Sequence, residues 1–495
     1  MILGLDVNRP LSKRFLKENS VSERTLDLCV IGAGIGGFTT AALAAQLGAR
    51  VTLIERGAFG GVLLDGALAL RALMASATAA HEARRAARFG IRTGSVSVDI
   101  EGVRAHLRNV VAMAGLNLSE DRAAGLGVTV MKGAACFTGP DTVTVGDRSV
   151  RARRFVIATG AQAIVPAIPG LDTVPFLTAP SALALERLPA HLIVLGGEPA
   201  GIEIAQAYRR LGCNVTVIAA KGILAREDAE AVDVVRTALR LDGVAVIENA
   251  LITRVEGADG VTVTIEADGA TQRIDGSHVL INSGRRPALT GLGLETANIV
   301  AGENGITVDI GLRTSNPKVY AIGDCIDGYG FAHAAADHAG AVVRNALFCL
   351  PIKVSAVVPR VVFTTPELAH VGLTEHDARL TTTDLMVLRW PFAENDRARA
   401  EQSTAGMVKV LATRRGRILG TSIVGPQAGE LIGVWTLAMR KGLRVRDVAN
   451  TPVAYPTLAE VNGRVAQSAL LLRMMSPLTR GLVRLIARFD SSLRP

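Results

Sequence analysis

Two glycine-led turns restrict this chain more than anything else in it. Residues 26–56 read LDLCVIGAGIGGFTTAALAAQLGARVTLIER. An apolar run of strand length meets a Gly-rich turn, then an Ala-rich stretch of helical period, then a second apolar run; that is the pattern of a βαβ unit. A second unit opens at His191 with HLIVLGGEPAGIEIAQAYRRLGCNVTVIAA. Two such units predict an α/β chain with two doubly wound dinucleotide-binding domains. A length of 495 residues, at roughly 150 residues per domain, leaves room for a third.

The first turn carries the more complete chemistry. Gly32 permits the tight turn, Gly34 lets backbone approach a pyrophosphate, and Gly37 allows helix and strand to pack closely. The helix that follows offers amide donors and a positive dipole end to phosphates. Glu55 ends the next strand, 18 residues after Gly37, where a carboxylate can accept both ribose hydroxyls of an adenosine. Farther on, a strand runs into Gly323-Asp324 and sets a carboxylate at a strand's C-terminal edge, where ligands of α/β sheets sit. Taken alone, Asp324 is equally a helix N-cap.

Composition removes several classes. With 49% hydrophobic and 20% charged residues the chain is neither disordered nor fibrous. Aromatics are only 4% and the net charge of +9 is spread over the whole length, so nucleic acid is not expected as a partner. Five scattered cysteines without a C-x-x-C fit a reduced, cytoplasmic chain. The first 20 residues lack the apolar stretch of a signal peptide. The eight histidines show no metal-ligand spacing, so no metal site is expected; His333 and His338 read as local packing or site lining.

Beyond Pro351 the pattern changes. Strand signals fall at residues 360–363, 384–391 and 407–424, and helical ones at 428–442 and 456–475, which predicts an α+β domain. In the last segment no acid stands between Glu460 and Asp490, while Arg464, Arg473, Arg480, Arg484 and Arg488 do. Leu478, Leu482, Leu485, Ile486 and Phe489 share one helical face, with arginines on another. Two readings stay open: a terminal helix docked on its own domain, or a helix meeting a membrane surface or a partner.

The motif order, with Ala158-Thr159-Gly160 and Gly284-Arg285-Arg286-Pro287 between the two ends, resembles the pyridine nucleotide–disulfide oxidoreductases, and dihydrolipoamide dehydrogenase and mercuric reductase in particular. The likeness spans roughly residues 26–475. It implies an FAD domain (26–170 and 287–350), a nicotinamide domain inserted within it (171–286) and a dimerisation domain (351–476). These would be flanked by an arm (1–25) and a basic amphipathic tail (477–495). It implies that Glu55 holds the FAD ribose and Asp324 the ribityl chain. Gly32, Gly34, Gly37, Gly61, Thr159, Gly160 and Gly284 would complete the FAD contacts. Gly196, Gly201 and Lys221 would meet NAD(P)H.

Three departures bear on function. The family's Cys-x4-Cys pair belongs in residues 60–71, which read GGVLLDGALALR. With a one-residue deletion Leu63 and Ala67 take the two positions, and without it Leu68 takes the second; neither alignment supplies a thiol for a disulfide relay. The family's His-Pro pair becomes Tyr455-Pro456 with Glu460 retained. A phenol of pKa about 10 is a poor base at neutral pH, so Tyr455 either donates a hydrogen bond to an acceptor or simply fills the space. The family's Lys–Glu pair near the flavin becomes Arg71 and Glu203 in the gapped alignment, either a retained charge pair or a surface salt bridge.

The nicotinamide turn carries a further change. Glu198 stands where a middle glycine belongs; a carboxylate about 5 Å from a pyrophosphate charge costs on the order of 3 kcal/mol at an effective dielectric of about 20. Ala219 replaces the acid that favours NAD, and Lys221 could meet a 2′-phosphate. The expectation is an FAD enzyme taking hydride from NAD(P)H and passing electrons to a small non-disulfide acceptor such as a quinone. It would act as a homodimer, with peripheral membrane contact through the tail. A non-catalytic or sensing FAD-binding protein is the alternative.

Overall fold

The computed structural model describes residues 26–257, 260–327, 332–474 and 477–489. The arm read over residues 1–25 and the end of the basic tail lie outside them. Strands β1 (Leu26–Ile31) and β2 (Val51–Glu55) run parallel with Cys29 opposite Thr52, and helix α1 (Ile35–Gln46) makes the crossover. Both strands are buried along most of their length, which is why they read as unbroken apolar runs rather than alternating ones. Strand Thr129–Lys132 lies outside β2; on the other side β1 pairs with Arg148–Ile157, which pairs in turn with Val319–Ala321. A segment near residue 320 therefore completes a sheet begun at residue 26. The long strand Arg148–Ile157 also pairs antiparallel with Thr142–Val145, which carries Ala135–Gly139.

The second sheet is parallel and five-stranded. His191–Leu195 lies between Asn214–Ala219 and His278–Ile281, with Ala245–Glu248 and Phe176–Leu177 at the edges. A three-stranded antiparallel meander, Leu251–Glu256, Val261–Ala267 and Ala270–Gly276, shares a core with it through Ile193, Leu195, Val255 and Val263. The third sheet is antiparallel, in the order Arg360–Val362, Glu367–Gly372, Ile418–Gly425, Met407–Thr413, Leu385–Pro391. Helices cover it around the buried Trp435, Val461 and Val465.

Some elements differ from the sequence expectation. The strand signal over 407–424 is two strands joined by a turn. The helical stretch 428–442 divides into Ala428–Leu431 and Gly433–Arg440, a short helix Val445–Ala449 follows, and the helix expected over 456–475 starts at Glu460, after Pro456. Helix Ile100–Gly115, capped by the Asp99 carboxylate accepting from the Glu101 amide, was not anticipated. Leu107 is its one fully buried residue, and Ile100, Val103, Val110 and Ala114 share its apolar stripe at helical spacing.

Helix α2 (Ala69–Arg85) ties the domains together. Leu70, Leu73, Met74 and Ala77 recur at helical spacing and are buried against Ile202 and Ala205 of helix Pro199–Leu211. The same apolar cluster continues into Val362, Leu368 and Val424 of the third sheet. An ionic contact joins the second and third domains: Lys409, only 3% exposed, lies 2.9 Å from Asp228, 2.9 Å from Glu230 and 2.6 Å from Glu375. Burial pulls the Lys409 ammonium down, and its three carboxylate partners more than reverse this, so its pKa sits above the usual value. Hydrogen bonds from Arg389 first, and then from Lys409, draw Glu230 down to about 2 against its partial burial. The stability that Glu230 contributes is complete above the ordinary carboxylate value and is lost as pH falls through about 2.

Replacing Lys409 by Met strands the buried Asp228 carboxylate. It is expected to lower unfolding free energy by about 3–5 kcal/mol in denaturant titrations at neutral pH. Arg389→Met removes a side chain that is 42% exposed and should cost less than about 1 kcal/mol. Equal losses from the two variants would contradict the assignment of Lys409 as the buried tie.

Candidate functional site

The turn between β1 and α1 is built from glycines with different duties. Gly32 adopts φ +103°, and a Cβ there would lie 2.4 Å from the Ala158 carbonyl oxygen. A Cβ on Gly37 would lie 1.8 Å from the Gly32 oxygen. Both are required by packing. Gly34 is not: its φ of −65° suits any residue, and a Cβ would meet no atom within 4 Å. It N-caps α1 without a side-chain hydrogen bond, and the first turn holds no acid. The mouth of α1 is therefore an open row of amide donors, the arrangement an anion needs.

The walls of this mouth come from separate segments. Glu55 Oε2 accepts from the Ala33 amide at 2.6 Å, and Oε1 accepts from Gly57 at 2.7 Å. That fixes the carboxylate beside the turn with lone pairs to spare. Gly60, at φ +85°, donates its amide to the Ala33 oxygen at 2.9 Å, and a Cβ on Gly61 would lie 3.7 Å from the Gly34 Cα. Gly160 and Gly284 both have positive φ. The Thr159 hydroxyl is buried beside the Cys325 thiol with no nitrogen or oxygen partner. Asp324 lies in a short 3-10 turn, where its carboxylate pairs with Arg285 at 2.6 Å rather than capping a long helix. Arg285 also donates to the Ala161 carbonyl at 2.8 Å. Its place in the Gly-Arg-Arg-Pro motif was legible, but its partner was not.

The residues at the positions aligned with the cysteine pair, Leu63 and Ala67 or Leu68, are aliphatic. Leu63–Leu68 forms a π-helical turn that leads into α2, with Val62 and Ala67 exposed and Leu64 buried. No cysteine lies in residues 60–71, and the five present elsewhere are free. Burial pushes the Cys29 thiol up to about 12 and the Cys213 and Cys325 thiols up to about 11. Thiols so held are protonated and unreactive.

One turn into α2, Arg71 meets Glu203 with Nη2 3.0 Å from Oε2. The same guanidinium donates to the Phe363 carbonyl at 3.2 Å and lies 3.8 Å from the centre of the Phe363 ring. The Phe363 amide donates to the other Glu203 oxygen at 3.0 Å. The pair thus joins α2, helix Pro199–Leu211 and the strand Arg360–Val362. It is not a surface salt bridge, since Glu203 is buried. Burial pushes the Glu203 carboxyl up, and Arg71 and the Phe363 amide oppose it. Burial likewise pushes up the neighbouring Glu367, whose carboxylate accepts from the Gly429 amide at 2.8 Å. Sequence reading missed Phe363 and Glu367 as members of this cluster, because their proximity depends on how the third sheet docks.

The structure does not bring Tyr455 and Glu460 into the cluster within one chain. Tyr455 is 69% exposed and donates its phenol to Asp396 at 3.0 Å, an interaction that raises its pKa. Glu460 pairs with Arg464 at 2.7 Å. His338 is buried with Nδ1 3.3 Å from the Gly323 amide, and His333 meets the Pro359 carbonyl at 2.7 Å.

The second glycine turn differs from the first at its mouth. Gly196 and Gly201 pack on Asn282: a Cβ on either would lie 2.1 Å from that residue. Their absence of side chains therefore has a packing reason of its own. Glu198 holds the position that Gly34 holds in the first turn, N-capping helix Pro199–Leu211 without a side-chain hydrogen bond. Its carbonyl accepts from the Asn282 amide group at 2.7 Å. Ala219 is buried at the end of its strand, and Lys221 is exposed in the following turn.

Two parallel βαβ sheets, the first with an open anion-binding mouth, and a separate antiparallel domain define a two-dinucleotide-domain oxidoreductase. The family described as pyridine nucleotide-disulphide oxidoreductase matches residues 26–339, and its dimerisation domain matches residues 358–466. The chain belongs to that family: it is a flavoprotein oxidoreductase that carries FAD and uses NAD(P)H. It is 37% identical over 452 residues to a dihydrolipoyl dehydrogenase of Geobacillus stearothermophilus, covering 89% of this chain and 95% of that one. It is 35% identical over 455 residues to a mercuric reductase of Streptomyces lividans, covering 89% and 96%. Among solved structures, the Cu(II) complex of the HOCl-induced flavoprotein disulfide reductase RclA from Escherichia coli superposes with a TM-score of 0.77 at 28% identity, covering 90% and 99%.

The first mouth fits the FAD pyrophosphate, and this can be separated from folding. Gly34→Ala should keep the fold within about 0.5 kcal/mol, since its Cβ meets nothing. It should weaken FAD retention at least about ten-fold, roughly one charge-assisted hydrogen bond. Flavin absorbance per chain beside an apo-protein melt measures both; full flavin occupancy in the variant would contradict the assignment.

Proposed function

We propose that this protein passes reducing equivalents from NAD(P)H to a small non-disulfide acceptor such as a quinone. The balance is NAD(P)H + H⁺ + quinone → NAD(P)⁺ + hydroquinone. One observation carries this: residues 60–71 keep the cation, with Arg71 on Glu203 at 3.0 Å, but place Leu63 and Ala67 where a thiol pair would belong. A disulfide relay needs an attacking and a resolving sulfur, and aliphatic side chains supply neither. They do supply an apolar face suited to a quinonoid ring.

FAD, when bound, supplies two-electron chemistry between nucleotide and acceptor. The chain's residues bind and polarise. The mouth at Gly34 takes the pyrophosphate, Glu55 the ribose and Asp324 the ribityl chain, with Gly32, Gly37, Gly61, Thr159, Gly160 and Gly284 shaping the cavity. Arg71, held by Glu203 and over the Phe363 ring, would supply a fixed positive charge to the bound group. Gly196, Gly201 and Lys221 face NAD(P)H, and Tyr455 of the dimerisation domain, near Glu460, would donate to an acceptor in exchange for its bond to Asp396. This assignment takes 26–170 with 287–350, 171–286 and 351–476 as the working domains. A homodimer formed through the last of these follows from the family match over residues 358–466. Contact with a membrane, where such acceptors dissolve, belongs with it.

A second reading, an FAD-binding sensor without turnover, is favoured by Glu198 at the mouth of helix Pro199–Leu211. Anaerobic titration separates the two. One equivalent of NADH or NADPH per flavin should bleach it fully, and a quinone should restore the colour. A need for two equivalents would reveal a second redox couple and overturn the non-disulfide assignment. No bleaching by either nucleotide would favour the sensor.

Glu198→Gly should tighten NAD(P)H binding at least about ten-fold, by removing a like charge from the phosphate seat. The gain should shrink at high salt. An unchanged dissociation constant would mean that the Glu198 carboxylate points clear of the nucleotide.

A further inference from the structure

Helix Pro477–Phe489 follows the third domain and lies beyond the residues 358–466 that match the family's dimerisation domain. A globular domain buries the apolar stripe of such a helix. Here Leu482 and Ile486 are 55% and 57% exposed, and Leu485 beside them is equally open. Arg480 and Arg484 are exposed on the opposite side. No acid occurs in residues 461–489, so nothing in this stretch neutralises them. At 13 residues the helix is about 20 Å long, and no helix among the described residues is long and apolar enough to cross a membrane.

We propose that this helix lies flat on an anionic lipid surface, with Leu482, Leu485 and Ile486 in the acyl boundary and Arg480 and Arg484 among the phosphates. Charge decides the occupant. A second copy of the helix could cover the apolar face but carries the same arginines and no acid, so it would leave Arg480 and Arg484 without countercharge, whereas an anionic bilayer supplies both the apolar layer and the countercharge. The proposal deepens the membrane contact in the function proposed above. It rests on that contact alone, not on the acceptor.

The test is co-sedimentation of the full-length holoprotein with vesicles of phosphatidylcholine alone, or of phosphatidylcholine and phosphatidylglycerol in equal parts, at low and high salt. The full chain should pellet with the mixed vesicles and leave them as salt rises. Truncation to residues 1–476 should abolish pelleting. Arg480→Glu with Arg484→Glu should reduce partition by more than about twenty-five-fold, at roughly five-fold per arginine. Leu482→Asn with Ile486→Asn should also release the protein. Flavin absorbance and reduction by NAD(P)H, measured on the same samples, should be unchanged in all variants, so a failed oxidoreductase assignment is told apart from failed lipid binding. Equal partition of full-length and truncated protein, equal binding to both vesicles, or tail-dependent self-association without lipid would each overturn the proposal.

Discussion

Arg71 and Glu203 are contributed by two different domains and are completed by Phe363 from a third. A buried carboxylate needs a partner, because an uncompensated charge in the interior costs several kcal/mol. That requirement couples the pair to domain position: moving any one of the three segments leaves Glu203 or the guanidinium without a contact. The apolar cluster from Leu70 and Met74 through Ile202 to Val362 and Leu368 supplies the attraction, and the ion pair supplies the register. A planar guanidinium on an aromatic face, with two oxygen partners, also has little rotational freedom. The positive charge is thereby held in one place before any ligand arrives.

The two glycine turns show how far one backbone plan can separate in use. In the first, Gly32 and Gly37 are demanded by packing while Gly34 faces open space; in the second, Gly196 and Gly201 pack on Asn282 while Glu198 stands at the mouth. Fold and ligand seat are thus under different constraints. The packing glycines keep the strand-turn-helix whatever binds there, and the mouth residue sets whether an anion is welcome.

Much of this was legible in the sequence. The βαβ units and the α+β character of the third domain follow from local period and motif order, which depend on residues close in the chain; the meeting of Arg71 with Glu203, 132 residues apart, was legible only through the family resemblance. Helix Ile100–Gly115 was missed although its signals are local: Asp99 caps it, and Ile100, Val103, Leu107, Val110 and Ala114 recur at helical spacing. The Lys409 cluster escaped because two of its three carboxylates, Asp228 and Glu230, lie about 180 residues away, and nothing local distinguishes a buried lysine from a solvated one. Phe363 and Glu367 escaped for a related reason: a backbone carbonyl or a ring face becomes a ligand only after docking. The sequence placed Tyr455 near the chemistry, while in a single chain it stands on the surface bonded to Asp396.

Three of the five cysteines are buried and none lies in residues 60–71, which bears on the conditions this protein can withstand. Heavy metals, alkylating agents and hypochlorous acid disable thiol-dependent enzymes by capturing thiolates. Residues 60–71 present them with none, and Cys29, Cys213 and Cys325 are both enclosed and held in the protonated form. Under the function proposed above, electron transfer at this face would not depend on a thiolate, and the exposed Cys349 would be the first sulfur such reagents meet.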